Sequence, residues 1–477
     1  MKTNNCFLLV LLFLLQTTFL SAQTFRPEMI AQIDSLVPDA VNDTTPGCLI
    51  ALVHKGETIL AKAYGKANLA YGIDNDHRMV YNIGSVSKQF LGYAFAMLHD
   101  QGRLDLDDPV GKYLDDWPEF EQEVTLRHIL THTSGYREAY TMSNLAGRIV
   151  GQDYLSRDEC LEVVRRQPAL EFEPGSRYTY NSTAWVILAE VLEEVTGTPA
   201  DDWVTRHILE PLGMEATEIE SYVGEVIPNA AESYYVEEGQ GYVNAESNRA
   251  IFGAAEVYSN LEDLSKWINN YRTALIGGKA VQELFTQAYM LSNGTSADYG
   301  LGIGISEYRG TERWRHGGSH EAFLTMLSYY PEHDLGIIIL SNYGGRGWIS
   351  ESDVADILLA DVLEPEKQSP VKGIKMHPKA LQRFVGNYLR DTRNRTMEIS
   401  VSEDSLTING RRKLIPIGKN LFSSGDGEAR YRFDPSADGG QRLTIRIDGG
   451  DYIYERLPTW EGDTQALQAY TGDYWSE

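Results

Sequence analysis

Tyr81-Asn-Ile-Gly-Ser-Val-Ser-Lys-Gln-Phe90 opens a segment that runs to about Gln101 with apolar residues on nearly every face, among them Phe90, Leu91, Phe95, Met97 and Leu98. That pattern predicts a buried helix rather than an amphipathic one. Its first turn carries chemistry. Ser85 and Lys88 stand three residues apart, so on a helix they share a face and the amine reaches the hydroxyl. Serine is a poor nucleophile until a base takes its proton. Lysine can be that base where burial and a helix N-terminus lower its pKa, and the backbone N–H of Ser85 at that N-terminus can meet a developing oxyanion. By itself a Ser-x-x-Lys fits equally well an N-capping serine with a surface lysine, and roughly one such pattern arises by chance in a chain of this size.

Outward from this helix, apolar runs flank a short turn at Lys55-Gly56-Glu57: Cys48 to His54 and Thr58 to Tyr64 read as a β-hairpin. Helical signals continue to about residue 275. Strand signals return at Tyr299–Ser306, Phe323–Tyr330 and Leu335–Leu340. Strands at both ends of a helical middle predict one α/β domain whose sheet joins distant parts of the chain, with a helical subdomain covering one side. A stretch rich in Pro and Lys at 364–377 reads as a linker. Beyond it, short alternating runs at Met397–Val401, Leu406–Ile408, Leu414–Ile417, Tyr431–Phe433, Leu443–Ile447 and Tyr452–Leu457 are separated by Gly-bearing turns and predict an all-β domain closed as a small barrel. The expected layout is a unit at 23–363, the linker, a barrel at 378–458 and a further segment at 459–477. In that last segment Ala466–Tyr474 repeats Ala380–Tyr388, with seven of nine positions identical or exchanging Phe for Tyr or Asn for Asp. The expectation there is a second β unit, cut short.

The 477 residues hold 68 acidic and 42 basic side chains, a formal charge of −26. So acidic a chain is a poor partner for nucleic acid or an anionic membrane. Lys2, the apolar run Phe7–Leu15 and the small pair Ser21-Ala22 read as a cleaved signal peptide spanning residues 1–22. An extracytoplasmic location follows, periplasmic or secreted, with no stable membrane anchor after cleavage. Of three cysteines, Cys48 and Cys160 remain after cleavage, and two buried free thiols are expected rather than a disulfide framework. No His-Glu-x-x-His and no cysteine cluster suggests a metal, and no cofactor is expected. Asp105, Asp107 and Asp108 read as turn and cap residues, and Gly300-Leu-Gly-Ile-Gly304 as a strand beside the site rather than a dinucleotide loop.

Two further elements hold polar groups that suit acyl transfer. In Tyr180-Asn181-Ser182 a phenol near a lysine could have its pKa lowered and pass a proton to a leaving group, though Asn or Ser could equally cap the next helix. In His316-Gly317-Gly318-Ser319 the glycines allow a substrate backbone to approach a strand edge, and the following N–H can be a second oxyanion donor. His132, in Thr131-His-Thr-Ser-Gly135, reads as a loop anchor rather than a catalytic partner of Ser85.

Taken together and in this order, the three elements resemble those of the class C β-lactamase and DD-peptidase-like serine hydrolases. The likeness extends to Gly102-Arg-Leu-Asp-Leu-Asp-Asp-Pro-Val110, Leu126–Gly135, Glu210-Pro-Leu-Gly-Met214 and Arg315–Ser319. It implies a mainly antiparallel sheet beside a helical subdomain with the site between them. It further implies Ser85 as acylated nucleophile, Lys88 as proton acceptor, Tyr180 as second proton-transfer group, and His316 and Gly318 along the substrate strand, with the Ser85 and Ser319 N–H groups as oxyanion hole. Asn181, Ser182 and Gly317 would complete the substrate contacts. The family's Tyr-x-Asn becomes Tyr180-Asn181-Ser182 here; a serine can still hydrogen-bond Lys88 or substrate, though with shorter reach, so the change bears on amide recognition more than on acylation. The expected activity is hydrolysis of a peptide, amide or ester. A β-lactamase or D-alanyl-D-alanine carboxypeptidase is the alternative, and a non-catalytic binding protein on the same fold is the alternative of another class. The barrel, looking like those appended to such hydrolases, would gate substrate or hold a homo-oligomer together.

Overall fold

The computed structural model describes residues 26–344, 349–365, 372–390, 395–402, 405–424, 429–436, 439–447 and 450–458. The expected signal peptide and the second β unit lie outside the described residues.

Six strands form the central sheet: β1 (Cys48–His54), β2 (Glu57–Tyr64), β3 (Gly304–Tyr308), β4 (Thr311–His320), β5 (Phe323–Tyr330) and β6 (Leu335–Ser341). Their order is β3-β4-β5-β6-β1-β2 and every pairing is antiparallel. The sequence expectation of one sheet joining both ends of the domain holds, with β1 laid against β6 in the register Cys48 opposite Ser341. Between β1 and β2, Lys55 and Gly56 both take positive φ, 52° and 82°, the backbone a two-residue hairpin needs to match strand twist. The unbroken apolar run of β6 is explained by burial on both faces. Ile338 and Leu340 join the core under the helical layer, while Leu335, Ile337 and Ile339 pack against Ile33 and against Val354 and Leu358 of the Glu351–Leu358 helix.

On the helical face, Lys88 to Leu98 is buried without interruption in the Lys88–Asp100 helix, which follows a 3₁₀ turn at Gly84–Ser87. The helical middle is less pure than its sequence suggested. Short strands at Leu155–Ser156, Glu218–Ile219, Tyr234–Glu237, Gly241–Asn244, Arg249–Ala250 and Val257–Ser259 stitch it together, too brief to show an alternating pattern. A second correction concerns Tyr299–Ile303. It is irregular, and the strand starts only at Gly304. Gly302 sits at φ 95° with its backbone so close to the Lys88–Asp100 helix that a Cβ would fall 2.7 Å from the Lys88 carbonyl oxygen. Cys48 and Cys160 are buried free thiols, as expected.

After the sheet domain the chain forms a closed eight-stranded antiparallel barrel: Gly386–Arg390, Arg395–Ser402, Ser405–Ile408, Arg412–Pro416, Leu421–Ser424, Arg430–Pro435, Gln441–Ile447 and Gly450–Arg456. Rings fill its interior. Phe384 lies 5.1 Å from Phe422 and 4.7 Å from Phe433, centroid to centroid, with Tyr388, Leu406 and Leu443 around them.

Candidate active site

The site forms where the 3₁₀ turn carrying Ser85 meets the end of β4. Glycine makes this approach feasible. A Cβ on Gly318 would lie 1.9 Å from the Ile83 carbonyl oxygen and 3.3 Å from the Ser85 nitrogen, and one on Gly84 would lie 2.6 Å from the Ser319 nitrogen. The backbone amides of Ser85 and Ser319 therefore belong to two chain segments in direct contact, the arrangement an oxyanion hole requires. β3 pairs with Thr311–Arg315 only. Among the described residues, His316–His320 thus has a strand partner on the β5 side alone, and its other edge can accept an extended backbone.

Lys88 has no exposed surface. Its Nζ lies 3.2 Å from Ser85 Oγ, 3.5 Å from Ser182 Oγ and 2.6 Å from the Ala254 carbonyl oxygen. Burial pulls its pKa down to about 7, with Arg249 acting in the same sense and Glu138 and Glu256 opposing. A neutral amine has two N–H donors and one lone pair. The carbonyl and the Ser182 hydroxyl take the donors, which leaves the lone pair for the Ser85 proton. Ser182 thus reaches Lys88 from the third position of its element despite its short side chain.

Tyr180 is 40% exposed, yet its hydroxyl end is enclosed and hydrogen-bonds Ser85, and burial pushes the phenol up from its ordinary range. The expected lowering by a neighbouring lysine does not occur, because burial of the phenol outweighs it. Lys88 Nζ lies 5.1 Å from the Tyr180 ring centroid. Tyr180 therefore stands beside Ser85 as a neutral donor.

His316 is buried, and both ring nitrogens are engaged: Nδ1 with the Gly317 carbonyl oxygen at 2.7 Å and Nε2 with the Tyr299 hydroxyl at 2.7 Å. A carbonyl only accepts, so Nδ1 carries the proton and Nε2 accepts from Tyr299. Burial first, then Lys88, lowers its pKa to about 3. A neutral ring so held shapes the strand and the floor of the site rather than exchanging protons. Asn181 is likewise committed to the fold. Its Nδ2 donates to the Tyr136 carbonyl at 2.6 Å and its Oδ1 accepts from Ala184 N at 2.8 Å, at the start of the Thr183–Thr196 helix. His132 Nδ1 accepts from Asn181 N at 3.0 Å and its ring lies 4.1 Å from that of Tyr180, the anchoring role its loop suggested. Gly317 and Ser319 are exposed along β4.

Sequence reading missed several participants. Glu138 accepts from Ser182 N at 2.6 Å and from Thr183 N at 3.4 Å, capping the helix that follows Tyr180, and burial raises its pKa. Its only local signal is a glutamate just before the Ala139–Leu145 helix. Tyr299 and the Ala254 carbonyl carry no signature, since their roles depend on which segments meet. No group of three or more His, Cys, Asp or Glu able to hold a metal occurs among the described residues.

A serine and a buried, neutralised lysine one turn apart, between an antiparallel sheet and a helical layer, define a serine hydrolase of the β-lactamase fold. Residues 33–361 match the family described as Beta-lactamase, and the chain belongs to that family. PbpX of Bacillus subtilis, described as a penicillin-binding protein, is 27% identical over 294 residues, 61% of this chain and 69% of that one. A D-aminopeptidase of Brucella anthropi is 26% identical over 316 residues, 65% of this chain. The match spans only 58% of the D-aminopeptidase's length. Among solved structures, an octameric penicillin-binding protein homologue from Pyrococcus abyssi superposes with a TM-score of 0.62 at 23% identity, covering 90% of this chain and 99% of that one.

Proposed function

We propose that the chain hydrolyses peptide, amide or ester bonds through an acyl-enzyme on Ser85. The observation that carries this reading is Lys88 Nζ, 3.2 Å from Ser85 Oγ, with its pKa near 7 and its donors occupied elsewhere. Ser85 Oγ attacks the substrate carbonyl carbon while its proton passes to Lys88. The carbonyl oxygen becomes an oxyanion facing the N–H groups of Ser85 and Ser319. As the C–N or C–O bond breaks, the proton reaches the leaving group by way of Tyr180, whose phenol remains protonated between transfers. Water then repeats the sequence on the ester carbon and releases Ser85.

The open edge of β4 favours a substrate with an extended backbone, and D-aminopeptidases among the relatives make short peptides of D-residues the first class to try. Export through residues 1–22 is part of the same reading, supported by the apolar run Phe7–Leu15, and N-terminal sequencing of secreted protein tests it. Assembly into a homo-oligomer, suggested by the octameric homologue, is tested by light scattering. For the chemistry, the protein is incubated with a fluorophosphonate probe and, separately, a fluorescent penicillin, with Ser85→Ala as control. Labelling by fluorophosphonate that depends on Ser85 is expected. Labelling by penicillin as well would move the assignment towards a β-lactamase or carboxypeptidase, and absence of any Ser85-dependent label would remove the enzymatic reading.

A further inference from the structure

Behind the Ser85 turn lies a buried polar cluster that the chemistry above does not use. Glu256 has no exposed surface and sits at φ 79°, a left-handed backbone that a residue of its kind rarely adopts. The chain on either side of it grips the nucleophile turn. The Ala254 carbonyl holds Lys88, Val257 N donates to Ser87 Oγ at 3.2 Å, and Ile83 N donates to the Val257 carbonyl at 2.9 Å. Its side chain grips the same turn from within. Asn82 Nδ2 donates to Glu256 Oε2 at 3.5 Å, and Asn82 Oδ1 accepts from Gly84 N at 2.8 Å, where the turn begins.

From the opposite side, His320 Nε2 lies 3.7 Å from the same Oε2, and His320 directly follows Ser319. Arg249 lies 3.3 Å from His320 Nδ1 and is ion-paired with Glu321. Arginine only donates, so Nδ1 of His320 accepts and the proton sits on Nε2, facing Glu256. Burial, with Arg249, holds His320 far below its ordinary pKa. Among the described residues, His320 Nε2 and Glu256 Oε1 have no hydrogen-bond partner.

We propose that Glu256 is a positioning residue for acyl transfer: through Asn82 and the backbone beside it, it holds the turn that presents Ser85, with His320, next to Ser319, packed on its other side. This rests on the reading of Ser85 as nucleophile. Burial pushes the Glu256 carboxyl up to about 8, against Arg249 and with Glu220 and Glu321 adding to the rise. Near neutral pH the side chain is therefore mostly a neutral acid, for which glutamine is a close stand-in.

A double-mutant cycle read by the rate of fluorophosphonate labelling tests the proposal. Asn82→Ala removes the side chain that links Glu256 to Gly84 N–H, and labelling slows by about tenfold or more. Glu256→Gln alone slows it by only about threefold. Asn82→Ala combined with Glu256→Gly is no slower than the slower single variant, because both remove the same link. Glu256→Gly provides an arm free of new polar groups. Glycine suits φ 79°, so the variant folds with an unchanged or higher melting temperature and is nevertheless labelled about tenfold more slowly. Wild-type labelling rates in Asn82→Ala or in folded Glu256→Gly, or losses that multiply in the double variant, would overturn the proposal. If the wild-type protein itself takes no label at Ser85, it is the reading of Ser85 that fails.

Discussion

The barrel interior and the interior behind Ser85 bury different kinds of atoms. Inside the barrel the core is Leu381, Phe384, Tyr388, Ile399, Leu406, Phe422, Phe433, Leu443 and their neighbours. The buried polar residues there, among those described, are Thr407, Ser423, Ser424 and Thr444, all hydroxyl-bearing and easily satisfied by backbone. Around Ser85 the buried set includes Lys88, Arg249, Glu256, His132, His316 and His320. Taking an ion out of water costs several kcal/mol, and the group commonly gives up its charge instead. That is the state of His316, and of about half of the Lys88 side chains at pH 7. Packing alone accounts for the barrel. The sheet domain sustains a costlier interior, and one of the groups kept there, Lys88, is the base of the proposed proton transfer.

Substitutions on the two sides should therefore separate activity from stability. The largest effect falls on Ser85→Ala, which should abolish covalent labelling and leave hydrolysis at background while the melting temperature holds. Lys88→Ala should retain the fold and lose about 10²–10⁴ in acylation rate, the span assigned to a general base, as measured by stopped-flow or probe labelling. Gly318→Ala comes next. Its Cβ would meet the Ile83 carbonyl oxygen at 1.9 Å, so β4 must shift away from the Ser85 turn, and a loss of about 10² in kcat/KM is expected for displacement on the scale of an ångström. At the small end, Phe433→Ala in the barrel should cost about 3–5 kcal/mol of stability in denaturant titration yet leave acylation per folded molecule unchanged. A fall in that specific rate would show that the barrel contributes to the site and break the contrast.

How much of this was legible depended on whether a residue's role is set by its neighbours in sequence. Ser85 and Lys88 lie one turn apart, the Lys55-Gly56 hairpin is local, and six of the eight barrel strands show alternation between glycine turns. Two strands did not. Leu421–Ser424 is four residues long, and Gly386–Arg390, Gly-Asn-Tyr-Leu-Arg, has no clean alternation. Within the site, the Ser182 contact with Lys88 followed from chemistry. Glu138, Tyr299 and Glu256 did not, because each acts on a segment 17 or more positions away. The commitment of Asn181 to Tyr136 and Ala184, and of His316 to Tyr299, has the same origin. Only tertiary contact shows that these polar groups are already occupied.

The central claim is that Lys88 takes the Ser85 proton as a neutral amine. Its most direct test is the rate of Ser85 acylation followed from about pH 5 to about pH 9. A lysine whose pKa is lowered to about 7 is protonated and inactive below that value and free above it. The rate should rise about tenfold per pH unit on the acid side, bend near pH 7 and level off. A rate that is flat across the range, or that keeps rising towards the ordinary pKa of lysine, would contradict the account.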